Sequence, residues 1–517
     1  MKILTSREMR EIDRTAIEGL GIPGIVLMEA AGLQVVQALR ELFPDPENLR
    51  IVVVAGKGNN GGDGLVVARH LHLAGARPEV LLAASKDEVR GDAAVNLNVA
   101  VKIGVPVTEA PTPARWNKLR TKVFQATVII DALFGTGLIK PLDGLYARVV
   151  ADINAARGFK IAVDIPSGLS ADTFLEIGPC VKADLTVTLA APKIAHVFPP
   201  AADSVGELVV GDIGIPDFLF DRPELKLDWV EEGSVRPFLE PRPRDSHKGD
   251  YGHLLAVCGS VGKTGAAALA GKAALAMGAG LVTVATAASA LPSVARSQAE
   301  LMTEPLAETA RKTIAREALP RALELLEGKS AALIGPGLST DPSTSAFVLG
   351  LLPKLKVPAV IDADGLNIIA GDPGILRRLK RPAVLTPHPG EFARLTGRSI
   401  PGVIKDRLTL APEFAAKYGV HLVLKGYRTL TAAPDGRVFV NPTGNPGMAT
   451  GGTGDVLSGL IAAQIIQEKD LLGAVLSAVY VHGLAGDIAA EKIGERPMLA
   501  GHIIRYLPQA LMELEEA

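Results

Sequence analysis

Residues 441–466 read NPTGNPGMATGGTGDVLSGLIAAQII, a glycine run set directly ahead of an apolar pattern at helical spacing. Val456, Leu457, Leu460, Ile461 and Ile465 fall on one face, which predicts a helix beginning around Asp455. The backbone N–H groups of Thr453 and Gly454 then point outward at a helix N-terminus, where the dipole favours an anion such as phosphate. Two readings of Asp455 compete: an N-cap, or a general base beside a bound phosphoryl group. A cap needs no GGTG ahead of it, so the glycines favour the base, with the turn stabilising charge on the group in transfer.

A second phosphate-like signal is a look-alike. Residues 258–266, CGSVGKTGA, end a strand pattern with GKT, but the GxxxxGK[ST] loop needs glycine at position 257, which is Val257. Lys263 therefore has no P-loop duty.

Around these motifs, HLLAVCG, GLVTVAT, AALIGPG, PAVIDADG, AVLTPHPGE and HLVLKG alternate with helical patterns. A separate alternating series precedes them: 50–56, 79–84, 127–135, 160–168, 184–190 and 207–212. Near-continuous apolar runs that each end in a turn signal predict parallel sheets covered on both faces, with ligands beyond the C-terminal strand ends. Between the two series, residues 215–252 turn to charge and proline and mark a domain boundary. The series do not repeat one another, so two different α/β domains are expected, over about 1–220 and 235–517.

The 517 residues, 48% hydrophobic with 4% aromatic and 54 glycines, suit large cores of small side chains and tight βα turns. A formal net charge of −2 gives no basic excess for nucleic acid or an anionic membrane, and small-molecule ligands are expected. Residues 272–296 lack charge between their ends, but Gly278, Gly280 and Pro292 break the run into helix, turn and strand. The charged N-terminal residues exclude a signal peptide, and Cys180 and Cys258 form no metal-ligand spacing, so a soluble cytoplasmic protein with two buried thiols is expected.

The N-terminal series has its own site. VVAGKGNNGGDG, residues 53–64, contains GxGxxG at Gly56, Gly58 and Gly61, ahead of the helical LVVARHLHLAG. The pattern fits a dinucleotide-binding turn or a glycine turn that packs strand on helix, and neither explains Asn59, Asn60 and Asp63. Asp131 in DALFGTGLIKP and Asp164 in DIPSG end later strands, where each caps a helix or joins a common crevice. Oxygens of Asn60, Asp131 and Ser167 suit a hard cation, and the turn from position 135 to 141 suits phosphate.

NNGGDG, DALFGTG, VDIPSGL and GIVLMEAAG resemble the epimerase domain of bifunctional NAD(P)H-hydrate repair enzymes. The resemblance implies a Rossmann-like three-layer domain that interconverts the R and S hydrates of NADH and NADPH. It implies substrate on Asn59, Asn60, Gly61, Gly62 and Asp63, on Gly135, Thr136, Gly137, Leu138, Ile139, Lys140 and Pro141, and on Asp164, with potassium at Asn60, Asp131 and Ser167. Ala30 departs from the family, which has Asn there.

HKGDYGHLLAVCGS, TGAA, GAGLVTVAT, IGPGLS, DADGLN, TPHPGE and NPGMATGGTGD run in the order of the ADP-dependent NAD(P)H-hydrate dehydratase domain, which is ribokinase-like. This resemblance implies hydrate contacts from Gly337, His388 and Asp455, with Asp455 catalytic, and ADP or AMP contacts from Lys425, Gly426, Tyr427, Arg428, Thr429 and Gly454. It implies ADP as co-substrate with magnesium. Glu391 either reaches magnesium through water or caps a helix, and Asp362 and Asp364 carry the same two readings. A homo-oligomer acting on small molecules, without nucleic acid or membrane, is expected. The rival readings are a vitamin or sugar kinase, against which HPGE and NPGMATGG speak, and a nucleotide sensor whose first domain has lost catalysis.

Overall fold

The computed structural model describes residues 1–516, which form two compact units, Met1–Leu225 and Lys226–Ala517. In the first, seven strands are all parallel: β1 (Ile51–Ala55), β2 (Glu79–Leu82), β3 (Val107–Glu109), β4 (Val128–Ala132), β5 (Phe159–Val163), β6 (Leu185–Leu189) and β7 (Glu207–Gly211). Their order is β3-β2-β1-β4-β5-β6-β7, a Rossmann-like sheet whose direction of winding reverses between β1 and β4. A crevice opens beyond the strand ends at such a reversal, and Asn60, Asp131, Asp164 and Ser167 follow or end β1, β4 and β5 there.

Gly61, Gly62 and Gly64 lie inside the helix Asn59–Leu73, which starts earlier than the apolar pattern predicts, with Gly58 as N-cap. Close packing is the reason. A Cβ on Gly61 would collide with the Gly56 carbonyl oxygen, and one on Gly64 would lie 2.5 Å from the Ala132 side chain. At Gly61 backbone meets backbone, and at Gly64 the helix meets the β4 side chain of Ala132, so neither position has room for a Cβ.

The second unit has a ten-stranded sheet. Its strands are β8 (Leu227–Trp229), β9 (His253–Val257), β10 (Leu281–Ala287), β11 (Met302–Leu306), β12 (Ala331–Ile334), β13 (Ala359–Ile361), β14 (Ala383–Leu385), β15 (His421–Leu424), β16 (Leu430–Ala432) and β17 (Val438–Val440). The order is β11-β10-β9-β12-β13-β14-β15-β16-β17-β8, parallel from β11 to β15 and antiparallel through β16 and β17. Because β8 pairs with β17, the stretch just before residue 235, read from sequence as boundary, contributes an edge strand to this sheet. Three residues of mixed polarity carry no period-2 signal, and pairing alone reveals them.

The core of this unit is built on small residues. The helices Thr264–Ala276 and Thr453–Gln467 approach so closely that a Cβ on Gly459 would strike the Ala270 carbonyl. Residues 272–296 form helix, turn and strand as expected. Among the described residues one helix, Leu471–Ile493, is long and apolar enough to cross a membrane, and 72% of its apolar window is buried inside the fold. Cys180 and Cys258 are both buried free thiols.

Candidate functional site

The helix Thr453–Gln467 begins after Gly452, whose φ of +95° demands glycine. Asp455 is therefore the third helical residue and not the N-cap, which removes the capping reading. Its carboxyl is pushed up to about 6, first by burial and then by the negative charge of Asp362, while Lys425 pulls the other way. Asp364 and Glu391 add to the rise.

Strand ends assemble this group. Asp362 follows β13 and is 1% exposed, and Lys425 follows β15. The Lys425 Nζ donates to Asp362 Oδ1 at 3.0 Å and lies 4.0 Å from Glu391 Oε2. The same ammonium is 3.0 Å from where a Cβ of Gly454 would be, so it stands over the glycine turn that offers N–H groups to an anion. Burial disfavours the ammonium, but the facing carboxylates outweigh that and hold it above the ordinary lysine range. Asp362, Glu391 and Asp455 thus face Lys425 beside a helix N-terminus, whose N–H groups suit an anion and whose raised Asp455 suits a base that takes a proton near neutrality.

His388 and Glu391 have capping roles. The His388 Nδ1 accepts from the backbone N–H of Gly390 at 3.0 Å, and Glu391 Oε2 accepts from the His388 N–H at 2.9 Å. The two form a reciprocal cap on the helix Pro389–Thr396. Asp364 accepts from the Ser339 N–H at 2.7 Å and pairs with Lys263 at 2.9 Å. Gly337, at φ +67°, packs where a Cβ would lie 2.7 Å from the Lys263 carbonyl oxygen. The GKT turn is therefore structural support for the strand ends beside it.

A cavity of about 390 Å³ opens next to the glycine turn. Lys425, Gly426, Tyr427, Arg428, Thr429 and Gly454 all line it, whereas Gly337, His388 and Asp455 are not among its walls. Further walls come from Asn441, Thr443, Gly444, Met448, Leu457, Val479 and His482, none of them assigned from sequence. NPTGNPGM was visible as a motif, but Val479 and His482 belong to an apolar helix with no motif at all. The His482 Nε2 lies 3.1 Å from the Thr453 carbonyl oxygen, and burial first, with Lys425 adding, drives its ring down to about 4, so it is neutral. Arg428 holds φ +57° with its guanidinium between the rings of Trp229 and Tyr427, 4.7 and 4.9 Å from their centroids.

The first unit gathers a second cluster. Asp131 is fully buried, and its carboxylate accepts from the Ser167 N–H at 2.8 Å and the Ser167 hydroxyl at 2.6 Å. Burial pushes it up to about 6 despite those donors. The Nδ2 of buried Asn60 has no hydrogen-bond partner. This buried carboxylate has no cationic side chain bonded to it, so a proton or a bound cation would balance its charge. No group of three or more His, Cys, Asp or Glu side chains suited to a metal occurs among the described residues. Any ion here would thus be held mainly by neutral oxygens.

Asp164 follows β5 at φ +66° and caps no helix. Its Oδ1 accepts from Lys193 Nζ at 2.6 Å, and its Oδ2 lies 3.4 Å from the Cβ position of Gly135, the first residue of the 135–141 turn. Burial alone would raise this carboxyl, but Lys193 leaves it below the ordinary value. Asp63 is raised well above that value by burial and by the charges of Asp164 and Asp13. Asp13, on the N-terminal helix Ser6–Arg14, is pushed up to about 6 mainly by burial, with Lys193 opposing and Asp164 adding. Neither Asp13 nor Lys193 stands out in the sequence: one looks like surface charge on an amphipathic helix, the other like a turn lysine. Ile139 is 72% exposed and Ala30 packs on an apolar cluster with Leu27 and Ala31, so Ala30 is a packing position.

Comparison with known proteins covers both units. A family model described as NAD(P)H-hydrate dehydratase matches residues 254–509, and one described as YjeF-related protein N-terminus matches residues 24–195. The bifunctional NAD(P)H-hydrate repair enzyme Nnr of Moorella thermoacetica is 46% identical, over 100% of this chain and 98% of its own length. The corresponding protein of Thermofilum pendens is 42% identical over 100% and 97%. Among solved structures, a ribokinase-like superfamily protein of Enterococcus faecalis matches with a TM-score of 0.50 and 29% identity, over 56% of this chain and 97% of that one. With relatives this similar along both units, the chain belongs to the bifunctional NAD(P)H-hydrate repair enzyme family.

Proposed function

We infer that this chain repairs hydrated NADH and NADPH, epimerising the R and S hydrates and dehydrating the S form with ADP to give NAD(P)H, AMP and phosphate. The observation that carries the second step is the raised carboxyl of Asp455 beside Lys425 and the Gly454 turn. Asp455 takes the proton of the hydrate hydroxyl as that oxygen attacks the β-phosphorus of ADP, and AMP departs. The phosphate ester replaces a poor leaving group by a good one. The ring nitrogen lone pair then expels phosphate, and loss of a proton from the adjacent carbon restores the double bond. Lys425 and the backbone N–H groups of the turn stabilise charge on the phosphoryl group in flight. The cavity walled by Tyr427, Arg428, Thr429 and Asn441 takes the adenylate, leaving Gly337 and His388 for the hydrated nicotinamide side. Magnesium arriving with the nucleotide would be held by carboxylates of this cluster, Asp362, Asp364 or Glu391, and would offset charge on the phosphates.

Epimerisation needs only acid and base. The hydroxyl leaves as water after gaining a proton, and water returns to the opposite face and gives the proton back. Asp164 is the base, Asp63 and Asp13 are the carboxyls that burial makes readier to hold a proton, and residues 59–63 and 135–141 hold the dinucleotide. Asn60, Asp131 and Ser167 would hold potassium, whose charge would attract phosphate or hydroxyl oxygens. Two units on one chain act in sequence because only one epimer is dehydrated.

The test of the dehydratase reading is Asp455→Asn. Hydrate absorbance should be lost with ADP in the native chain and not in the variant, by at least about 10²-fold in rate. Retained turnover would refute the base role, and no turnover by the native chain would refute the function.

A further inference from the structure

Lys193 is the most enclosed cation of the first unit, at 1% exposure. All three of its N–H bonds are spoken for: Asp164 Oδ1 at 2.6 Å, the Thr188 hydroxyl at 3.0 Å and the Leu189 carbonyl at 2.9 Å. An ammonium so saturated has no donor left for a substrate. Its ion pair is with Asp164. The Asp164 Oδ1 is further fixed by the Thr188 hydroxyl and the Leu189 N–H, each at 3.3 Å. Oδ2 is thereby turned toward Gly135, 3.4 Å from the Cβ position of that residue, with the Asn60 side chain 3.5 Å from the same point.

The backbone adds to this. Asp164 at φ +66° and Ala190 at φ +64° are both non-glycine residues in the left-handed region, one on each side of the contact. Such residues persist where surrounding bonds hold them, and the lysine supplies that hold for Asp164.

We propose that Lys193 is the positioning residue of the epimerase site: it occupies Oδ1 of Asp164 and so presents Oδ2 as the single oxygen that meets substrate. The proposal rests on the epimerase reading above and names a residue that reading does not use. A plain counter-ion would also neutralise Asp164. Only a positioning role requires that binding survive and turnover fall.

The experiment is Lys193→Met in the full chain, with R/S interconversion of the hydrate followed across pH. The expected result is a fall in kcat of about 100-fold with KM within about threefold, comparable to loss of a positioned general base. The acid limb of the profile should also move up by about one pH unit or more, since the ammonium that favours ionised Asp164 is gone. The groups facing Asp164 during that titration are Asp13, Asp63, His196 and Lys193, and His196 is held neutral at about 3, by burial first and then by Lys193. Thr188→Val serves if the first variant fails to fold. It removes one hydroxyl from both partners and should lower kcat about three- to tenfold, with the limb moving in the same direction. A folded Lys193→Met chain with kcat within threefold of native, lost activity with an unmoved limb, or an unchanged Thr188→Val chain overturns the proposal. Absence of interconversion by the native chain would instead sink the epimerase reading on which it rests.

Discussion

Replacing Lys425 by Met removes the cation that faces Asp362, Glu391 and Asp455. At 3.0 Å and an effective dielectric constant of about 20, the attraction to Asp362 alone is worth roughly 5–6 kcal/mol before desolvation is subtracted. Breaking one side of such a buried pair costs about 3–5 kcal/mol net, because the remaining carboxylate is left without a partner. Asp362 is 1% exposed, so in the variant its carboxylate is both buried and unpaired. Asp455 responds too. It titrates at about 6 with Lys425 opposing the rise, and without the ammonium its pKa climbs further. A climb of about two units would leave only about a tenth of the base ionised at pH 7. Together with the lost phosphoryl contact, ADP-dependent dehydration should fall by at least about 10²-fold. The assay is loss of hydrate absorbance from pH 5 to 9, paired with thermal melts over the same range. Lys425→Met with Asp362→Asn should recover most of the stability and none of the activity. An acid limb that stays near pH 6 in Lys425→Met would refute the coupling between lysine and base.

Gly61→Ala should destabilise the first unit by about 3 kcal/mol, lowering its melting temperature by roughly 6–12 °C, since the new Cβ meets the Gly56 carbonyl oxygen and neither backbone can yield. Gly58→Ala, at φ −92° with nothing within 4 Å, should change it by under a degree or two, and equal effects would refute the packing argument. Replacing potassium by tetramethylammonium should slow epimerisation at least about tenfold and lower the melting temperature of the first unit, as expected when a ligand of the native state is withdrawn. Indifference of both readouts would remove the cation from the Asn60, Asp131 and Ser167 cluster.

The glycine turns were legible because their chemistry is written in consecutive residues. GGTGD must run from a left-handed Gly452 into a helix, and NNGGDG must let a helix touch the strand beside it, whatever the rest of the chain does. Helix onsets were read several residues late at NNGGDG because glycine and asparagine mask a helical start whose real support is tertiary contact. Short edge strands such as β3 and β8 left no trace, since three residues carry no period and pairing alone defines them.

What the sequence withholds is the counter-charge. Asp164 and Asp455 end motifs and are found at once, yet what distinguishes one carboxyl held low from another held near 6 is the position of a lysine whose own surroundings carry no site motif in the first unit. Lys193 bonds Asp164 directly, and its charge and hydrogen bond, together with the Leu189 N–H, outweigh burial. Lys425 is bonded to Asp362 instead, and its charge reaches Asp455 only as a partial offset. The same pair of residue types thus gives an ionised carboxylate with one free face in one unit and a base poised near neutrality in the other. The difference is which carboxylate takes the short hydrogen bond, and that is decided by strand ends brought together from distant parts of the chain.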